Sequence, residues 1–351
     1  MEHADQLARW LVDTLDDVDA VDVGEVETPS GGYSAETLIV PVRVTRGGAS
    51  TEEQVVVRRE TPEPAVYPQQ VPVENEIDIQ WRVMSALATH ADAAKVPIAP
   101  LLGYEPMPAV LGAPFFAMEF VGGEIPREDP MYVVEGFYVA AEPAQRTAMV
   151  RAGLDVVAGV HAVDVEAAGL GWLAPEGSTN DGRRQLEIWR DYALRELDGR
   201  PHDLMLAAFD RLDDELPAGG EALLTWGDAR LGNIIWQDFA PACVTDFEAA
   251  ALAPAEMDVG WYLLFEKWAY ASAGIEPLPG SISTDAQVAH YEAVTGRTLS
   301  PIEPWVLFAA ARYAAIVVRV MNRLVQRGLL PEDQTLYLDP IAPVLAPLLD
   351  S

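Results

Sequence analysis

Residues 223–248 read LLTWGDARLGNIIWQDFAPACVTDFE, and the punctuation of this stretch decides the fold. Leu223, Leu224 and Thr225 lead into a loop at 227–232. Ile234, Ile235 and Trp236 form a short apolar run, turn residues fill 238–241, and a second run covers 243–245. The pattern predicts strand, loop, strand, turn, strand. Three polar groups fall where the short strands end: Asp228, Asn233 and Asp246. A carboxylate beside a substrate hydroxyl can act as a general base. A second carboxylate with an amide oxygen can hold Mg²⁺, which prefers hard oxygen ligands. Arg230, two residues past Asp228, can reach a transferring phosphoryl group. Turn propensity accounts for any one of these residues but not for the ordered set.

The ordered set resembles the catalytic segment of the aminoglycoside phosphotransferase and choline kinase-like family, relatives of the protein kinases. The kinase order is a loop Asp, an Asn five residues on, and a third acid after a short hairpin. The resemblance implies a base at Asp228, metal ligands at Asn233 and Asp246, and a basic residue beside the reacting groups at Arg230. The family usually has His before Gly-Asp, and here Trp226 stands there. Trp fills the space but hydrogen-bonds differently. The WGDxRxGN form is similar to a subset of phosphotransferase-like proteins, some of them fused to acyl-CoA dehydrogenases. Gly227 replaces the Arg of the kinase His-Arg-Asp motif, which argues against activation by a phosphorylated loop.

Bulk properties bound the partners. With 351 residues the chain can bury a large core and is expected to form two lobes. A net charge of −32 opposes nucleic acid and anionic membrane surfaces. It favours cationic ligands, although the acidity is spread along the chain. The only lysines are Lys95 and Lys267, and the single Cys243 excludes an intrachain disulfide. Residues 1–20 are acidic and amphipathic, unlike a secretory leader. No apolar run is read as reaching membrane-spanning length. These features predict a soluble cytoplasmic protein; they leave the oligomeric state open.

The N-terminal third reads as a small sheet with one helix. Alternation predicts strands at 21–27, 37–44 and 54–59, the first two separated by Ser30, Gly31, Gly32, Tyr33 and Ser34. Strand, glycine turn, strand is the layout of a kinase nucleotide loop. It is not a Walker A loop, because no Gly-Lys-Ser/Thr follows. Val56 and Arg58 share one face of the third strand and Arg59 takes the other. Kinases place a small apolar residue and a Lys in this relation, so the resemblance gives Arg58 the phosphate-binding role. Residues 61–72, rich in Pro and polar residues, must be a loop. A helix follows over 74–90, carrying Glu76 as the candidate partner of Arg58, with Gln80 four residues on as the alternative. Residues 115–121 (FFAMEFV) then resemble the interlobe hinge. Adenine would use main-chain groups of Glu119 and Val121, with Met118 behind its ring.

Beyond Gly123 the chain reads as helical: 143–163, 185–197, 204–216, 288–293, 302–325 and 339–349. His161 is read as a packing residue at a helix end. Asp258 opens a further helix, and the resemblance gives it hydrogen bonds from the catalytic loop backbone. The expectation is therefore a bilobal protein-kinase-like α+β fold. Residues 1–121 form an N-lobe of antiparallel sheet plus helix, and 122–351 a mainly helical C-lobe. The activity implied is transfer of the γ-phosphoryl group of ATP, with GTP as an alternative, to a small-molecule hydroxyl with Mg²⁺. An aminoglycoside, macrolide, hydroxy acid or hydroxyacyl thioester is equally open as acceptor. A nucleotide-binding pseudokinase is the other reading, motivated by Trp226 and the missing Lys.

Overall fold

The computed structural model describes residues 3–28, 35–63, 65–68, 70, 71, 73, 75–175, 177–332 and 341–350. Helix α1 (Ala4–Thr14) is amphipathic, and Leu7 and Leu11, one turn apart, bury on one face. That face packs on the outer side of a five-stranded antiparallel sheet. Its strands are β1 (Ala20–Val23), β2 (Glu36–Arg46), β3 (Ala49–Arg59), β4 (Leu101–Glu105) and β5 (Phe115–Glu119), in the order β1-β2-β3-β5-β4. The period of two sorts the side chains. Val55 and Val57 join Leu7 and Leu11 outside, whereas Val56, Phe116 and Met118 enter the main core on the other side. Val56 pairs with Met118 and Arg58 with Phe116 across β3 and β5. Arg58 thus lies on the inner face, two residues along from Val56. Helix α2 (Ile77–His90) packs there through Ile77, Val83, Met84 and Leu87.

The chain then crosses to the C-terminal lobe at 120–124. Gly123 makes the crossing tight. A Cβ there would lie 2.6 Å from the Trp236 carbonyl oxygen, and Glu124 exchanges backbone hydrogen bonds of 2.9 and 2.8 Å with Trp236. The short α3 (Phe137–Ala140) precedes α4 (Pro143–His161), which has Pro in its first turn, as its fixed φ favours. Helices α5 (Gly182–Leu197) and α6 (Asp203–Glu215) follow. Two hairpin-like pairs come next: β6 (Leu223–Thr225) with β9 (Ala251–Ala253), and β7 (Ile234–Gln237) with β8 (Ala240–Val244). Helices α7 (Glu256–Ala273), α8 (Thr284–Thr295), α9 (Glu303–Gln326) and α10 (Ala342–Asp350) complete the lobe. The α+β bilobal arrangement read from the sequence is the one observed.

Helix α9 corrects one expectation. By length and composition it is apolar enough to cross a bilayer. Instead, 83% of its apolar window is buried inside the protein, where it packs against α5, α6 and α7. Its hydrophobicity is that of a core helix, apolar nearly all round because nearly every side is covered.

Candidate active site

The loop between β6 and β7 carries Asp228, which is 5% exposed. Burial pushes its carboxyl pKa up to about 6, against the hydrogen bonds that favour the charged form. Oδ1 accepts from Trp261 Nε1 at 2.9 Å and Arg230 Nε at 3.1 Å; Oδ2 accepts from the Tyr67 hydroxyl at 3.1 Å. Asn233 Nδ2 donates to the Asp228 carbonyl at 2.9 Å, which ties the ends of the loop together. Arg230 also pairs with Glu128 and lies with Cζ 5.2 Å above the Phe265 ring.

Asp258 holds this loop from below. Fully buried in the first turn of α7, it accepts from Trp226 N at 2.6 Å, Gly227 N at 2.9 Å and His161 Nε2 at 3.1 Å. His161 Nδ1 meets the Tyr291 hydroxyl at 2.7 Å, so this imidazole is a spacer with both nitrogens used. From the other side the buried Arg312 of α9 donates to the Gly227 carbonyl at 3.2 Å. Its guanidinium sits 4.5 and 4.6 Å from the Trp261 and Trp189 rings. Burial pulls its pKa down to about 10, and the charge of Asp258 resists that fall. Gly227 is therefore gripped at both its N–H and its carbonyl. It has φ of 88°, and a Cβ would lie 2.1 Å from the Ala249 carbonyl oxygen, so only glycine fits.

Trp226 has a definite task. Its indole N–H donates to the Thr245 carbonyl at 2.9 Å, and its ring packs 5.7 Å from Phe247. The residue before Gly-Asp thus positions the backbone on either side of Asp246. Thr245 N donates to the Asn233 carbonyl at 3.0 Å, which brings the Asn233 and Asp246 segments side by side. Arg58 Nη2 reaches Asp246 Oδ1 at 2.9 Å, and Nη1 donates to Thr37 Oγ1 at 2.6 Å. Val56 and Met118 line the same inner face of the sheet. Arg59 points the other way, to Glu36 at 2.7 Å and the Leu111 carbonyl at 3.0 Å.

Glu76 requires correction as the partner of Arg58. It stands just before α2, and its carboxylate accepts from Ala65 N at 2.7 Å. Gln80, one turn further along the buried face, is the α2 residue facing Arg58, 3.5 Å away, and it also contacts Glu248 at 3.4 Å. At the capping position of α2 the Glu76 carboxylate is taken up by the segment that precedes the helix, and Gln80 is left to face Arg58. Glu119 donates its N–H to the Pro100 carbonyl at 2.9 Å, so that group serves the sheet. Gly31, Gly32, Tyr33 and Ser34 lie outside the described residues. Four residues that touch the site were not singled out by pattern. Arg312 left one signal, an Arg in an otherwise apolar helical stretch; Trp261, Tyr67 and the acceptor role of Thr37 left none, because each is made by a contact distant in sequence.

The model of the phosphotransferase enzyme family, APH, matches residues 25–293. The chain belongs to that family. Among curated proteins, this phosphotransferase-family chain is 26% identical over 314 residues to a probable acyl-CoA dehydrogenase, IBR3, of Arabidopsis thaliana. The match covers 83% of the chain and 35% of the relative, so the chain spans about a third of that protein's length. A solved putative aminoglycoside phosphotransferase from Ralstonia eutropha JMP134 superposes with a TM-score of 0.70 at 23% identity, covering 99% of this chain and 98% of that one. The GDP and kanamycin complex of APH(2")-IIia superposes with a TM-score of 0.59 at 14% identity, covering 96% of each. These two likenesses speak for the fold.

Proposed function

We propose that this phosphotransferase-family chain moves the γ-phosphoryl group of ATP to a hydroxyl of a small molecule, within the lobes 1–121 and 122–351. The observation that carries the reading is the ordering of four groups. Asp228 is buried and oriented, Arg230 is beside it, Asn233 is tied to its loop, and Asp246 is next in line with Arg58 upon it. The oxygen-only pair Asn233 and Asp246 suits Mg²⁺, which takes one or two protein ligands and completes its shell with phosphate oxygens and water. Among the described residues no cluster of three or more His, Cys, Asp or Glu offers an alternative metal cage. Bound there, Mg²⁺ would neutralise charge on the phosphates.

The chain's own residues would do the following. Asp228 takes the proton of the acceptor hydroxyl as the new O–P bond forms and the bond to ADP breaks. Its raised pKa still leaves it mostly ionised at neutral pH. Trp261 and Arg230 fix its orientation. Arg58 exchanges Asp246 for nucleotide phosphate, which a guanidinium can grip with two donors. With the Glu119 N–H engaged by the Pro100 carbonyl, the hinge would offer the Glu119 carbonyl and the main chain of Val121 to the base, with Val56 and Met118 as apolar walls.

Calorimetry with Mg²⁺-ATP, followed by ADP release across a panel of hydroxylated acceptors, tests the reading. Absence of binding at millimolar Mg²⁺-ATP would end it. Hydroxyacyl thioesters belong in the panel beside aminoglycosides and macrolides, because the similar stretch in Arabidopsis lies within a longer protein named a probable acyl-CoA dehydrogenase.

A further inference from the structure

The segment between β3 and α2 leaves the sheet and is fastened to the other lobe. Glu63 pairs with Arg327, the residue that follows α9, at 2.9 and 2.7 Å, and Arg319 Nε of α9 donates to the Ala65 carbonyl at 3.1 Å. The Tyr192 hydroxyl of α5 donates to the Val66 carbonyl, and Gln70 and Gln185 exchange side-chain hydrogen bonds of 3.2 and 3.0 Å. Tyr67 sits between these ties. Its hydroxyl donates to Asp228 Oδ2, while Oδ1 already serves Trp261 and Arg230. Oδ2 is therefore the oxygen left to take an acceptor proton, and a protein hydroxyl lies on it at 3.1 Å. Burial, and then the charge of Asp228, hold the phenol well above its ordinary pKa, so it remains a donor.

We propose that Tyr67 is a place-holder for the acceptor: its hydroxyl occupies the acceptor's position on Asp228 and excludes water from that position until a substrate hydroxyl displaces it. This rests on the phosphotransferase reading above. Water is the commonest competing acceptor in any kinase site. Its attack would join a water oxygen to the γ-phosphorus, break the bond to ADP and leave the water proton on Asp228. A tethered phenol on the base removes the hydrogen bond that orients such a water. The segment between β3 and α2 is thus a strap across the lobes and supplies the tether, since ties on both sides of Tyr67 reach α5 or α9.

The test is ADP release by the full chain with Mg²⁺-ATP and no acceptor, for the native protein and Tyr67→Phe. The ring is kept and only the hydroxyl is lost. The expected result is a roughly ten- to hundredfold rise in hydrolysis, the factor that one hydrogen bond to a charged group is worth, with ATP affinity unchanged by calorimetry. The gain should vanish when Asp228→Asn is added to Tyr67→Phe. A purely structural role would lower hydrolysis and melting temperature together. Equal or slower hydrolysis in Tyr67→Phe, with normal ATP affinity, would overturn the place-holder role while leaving the phosphotransferase reading standing. Phosphate found on Tyr67 itself by mass spectrometry would also overturn it, since the phenol would then be an acceptor. No ATP binding by either protein would remove both.

Discussion

Asp258→Asn should destabilise the protein by about 3–5 kcal/mol without touching any proposed substrate group. The magnitude follows from the three bonds that Asp258 accepts. Two come from the consecutive backbone amides of Trp226 and Gly227, the third from His161, and all are buried. An amide has one oxygen, so whichever way it turns, a backbone N–H faces an NH₂. The hydrogen bond lost is to a charged group, about 1.5–3 kcal/mol, and the stranded amide costs about 1–3 kcal/mol more. Arg312, which Asp258 helps keep charged, loses a buried counter-charge at the same time. Small proteins have about 5–15 kcal/mol of total stability, so the variant should stay folded but with a clearly lower urea midpoint. Adding Arg312→Met should cost less than the sum of the two single changes, because the second removes the charge that the first strands. ATP affinity should fall less than turnover, since the loop bears Asp228 while Arg58 and Asp246 lie elsewhere. A loss below about 1 kcal/mol for Asp258→Asn would refute the idea that this carboxylate holds the catalytic loop.

Asp228→Asn should keep Mg²⁺-ATP affinity and lose roughly 10²–10⁴-fold in transfer, whereas Asp246→Asn should weaken metal-dependent nucleotide binding in calorimetry. Native transfer should decline as pH falls through about 6, where Asp228 takes up a proton and ceases to be a base. Arg58→Ala should weaken ATP binding and Arg58→Lys restore part of it, while Arg59→Ala, on the outer face with Glu36, should not change it; equal effects would place the phosphate contact on the wrong side of β3. Glu266, buried against Gln287 with a pKa raised to about 7, binds its proton more tightly folded than unfolded, so its contribution to stability is present at acid pH and is lost as pH rises to about 7. Glu266→Gln should therefore raise the urea midpoint at pH 8 and leave it little changed at pH 4, and no difference between the two would refute the assignment.

What was legible in the sequence is what is local. The alternation in β3 put Val56 and Arg58 on one face, as found, because a strand's period of two is set by the backbone alone. The spacing of Asp228, Asn233 and Asp246 was readable because one hairpin holds all three segments. Glu76 and Gln80 were not separable, since both lie on one helical stripe and only the start of α2 chooses between them. The residues around the site that escaped notice come from β2, α7, α9 and the strap. Their proximity is made by packing over separations such as the 161 residues from Tyr67 to Asp228, which no periodicity records. The bounds of α9 were legible, 302–325 against Glu303–Gln326, but its apolar character was not: isolated Arg residues interrupt the apolar run in the sequence, whereas in the fold those same cations are covered.

The strap also sets how the molecule can move. Kinase-like lobes joined by a hinge alone can swing about several axes and twist on their connection. Here the hinge side is one point, held by the bonds of Glu124 to Trp236 and of Val244 N to the Pro97 carbonyl at 2.8 Å, and the ties of Glu63, Ala65, Val66 and Gln70 to Arg327, α9 and α5 make a second. A body pinned at two points turns only about the line that joins them. Opening should then resemble a door on two pins: one angle, small amplitude, and no twist that would carry Arg58 sideways off Asp246.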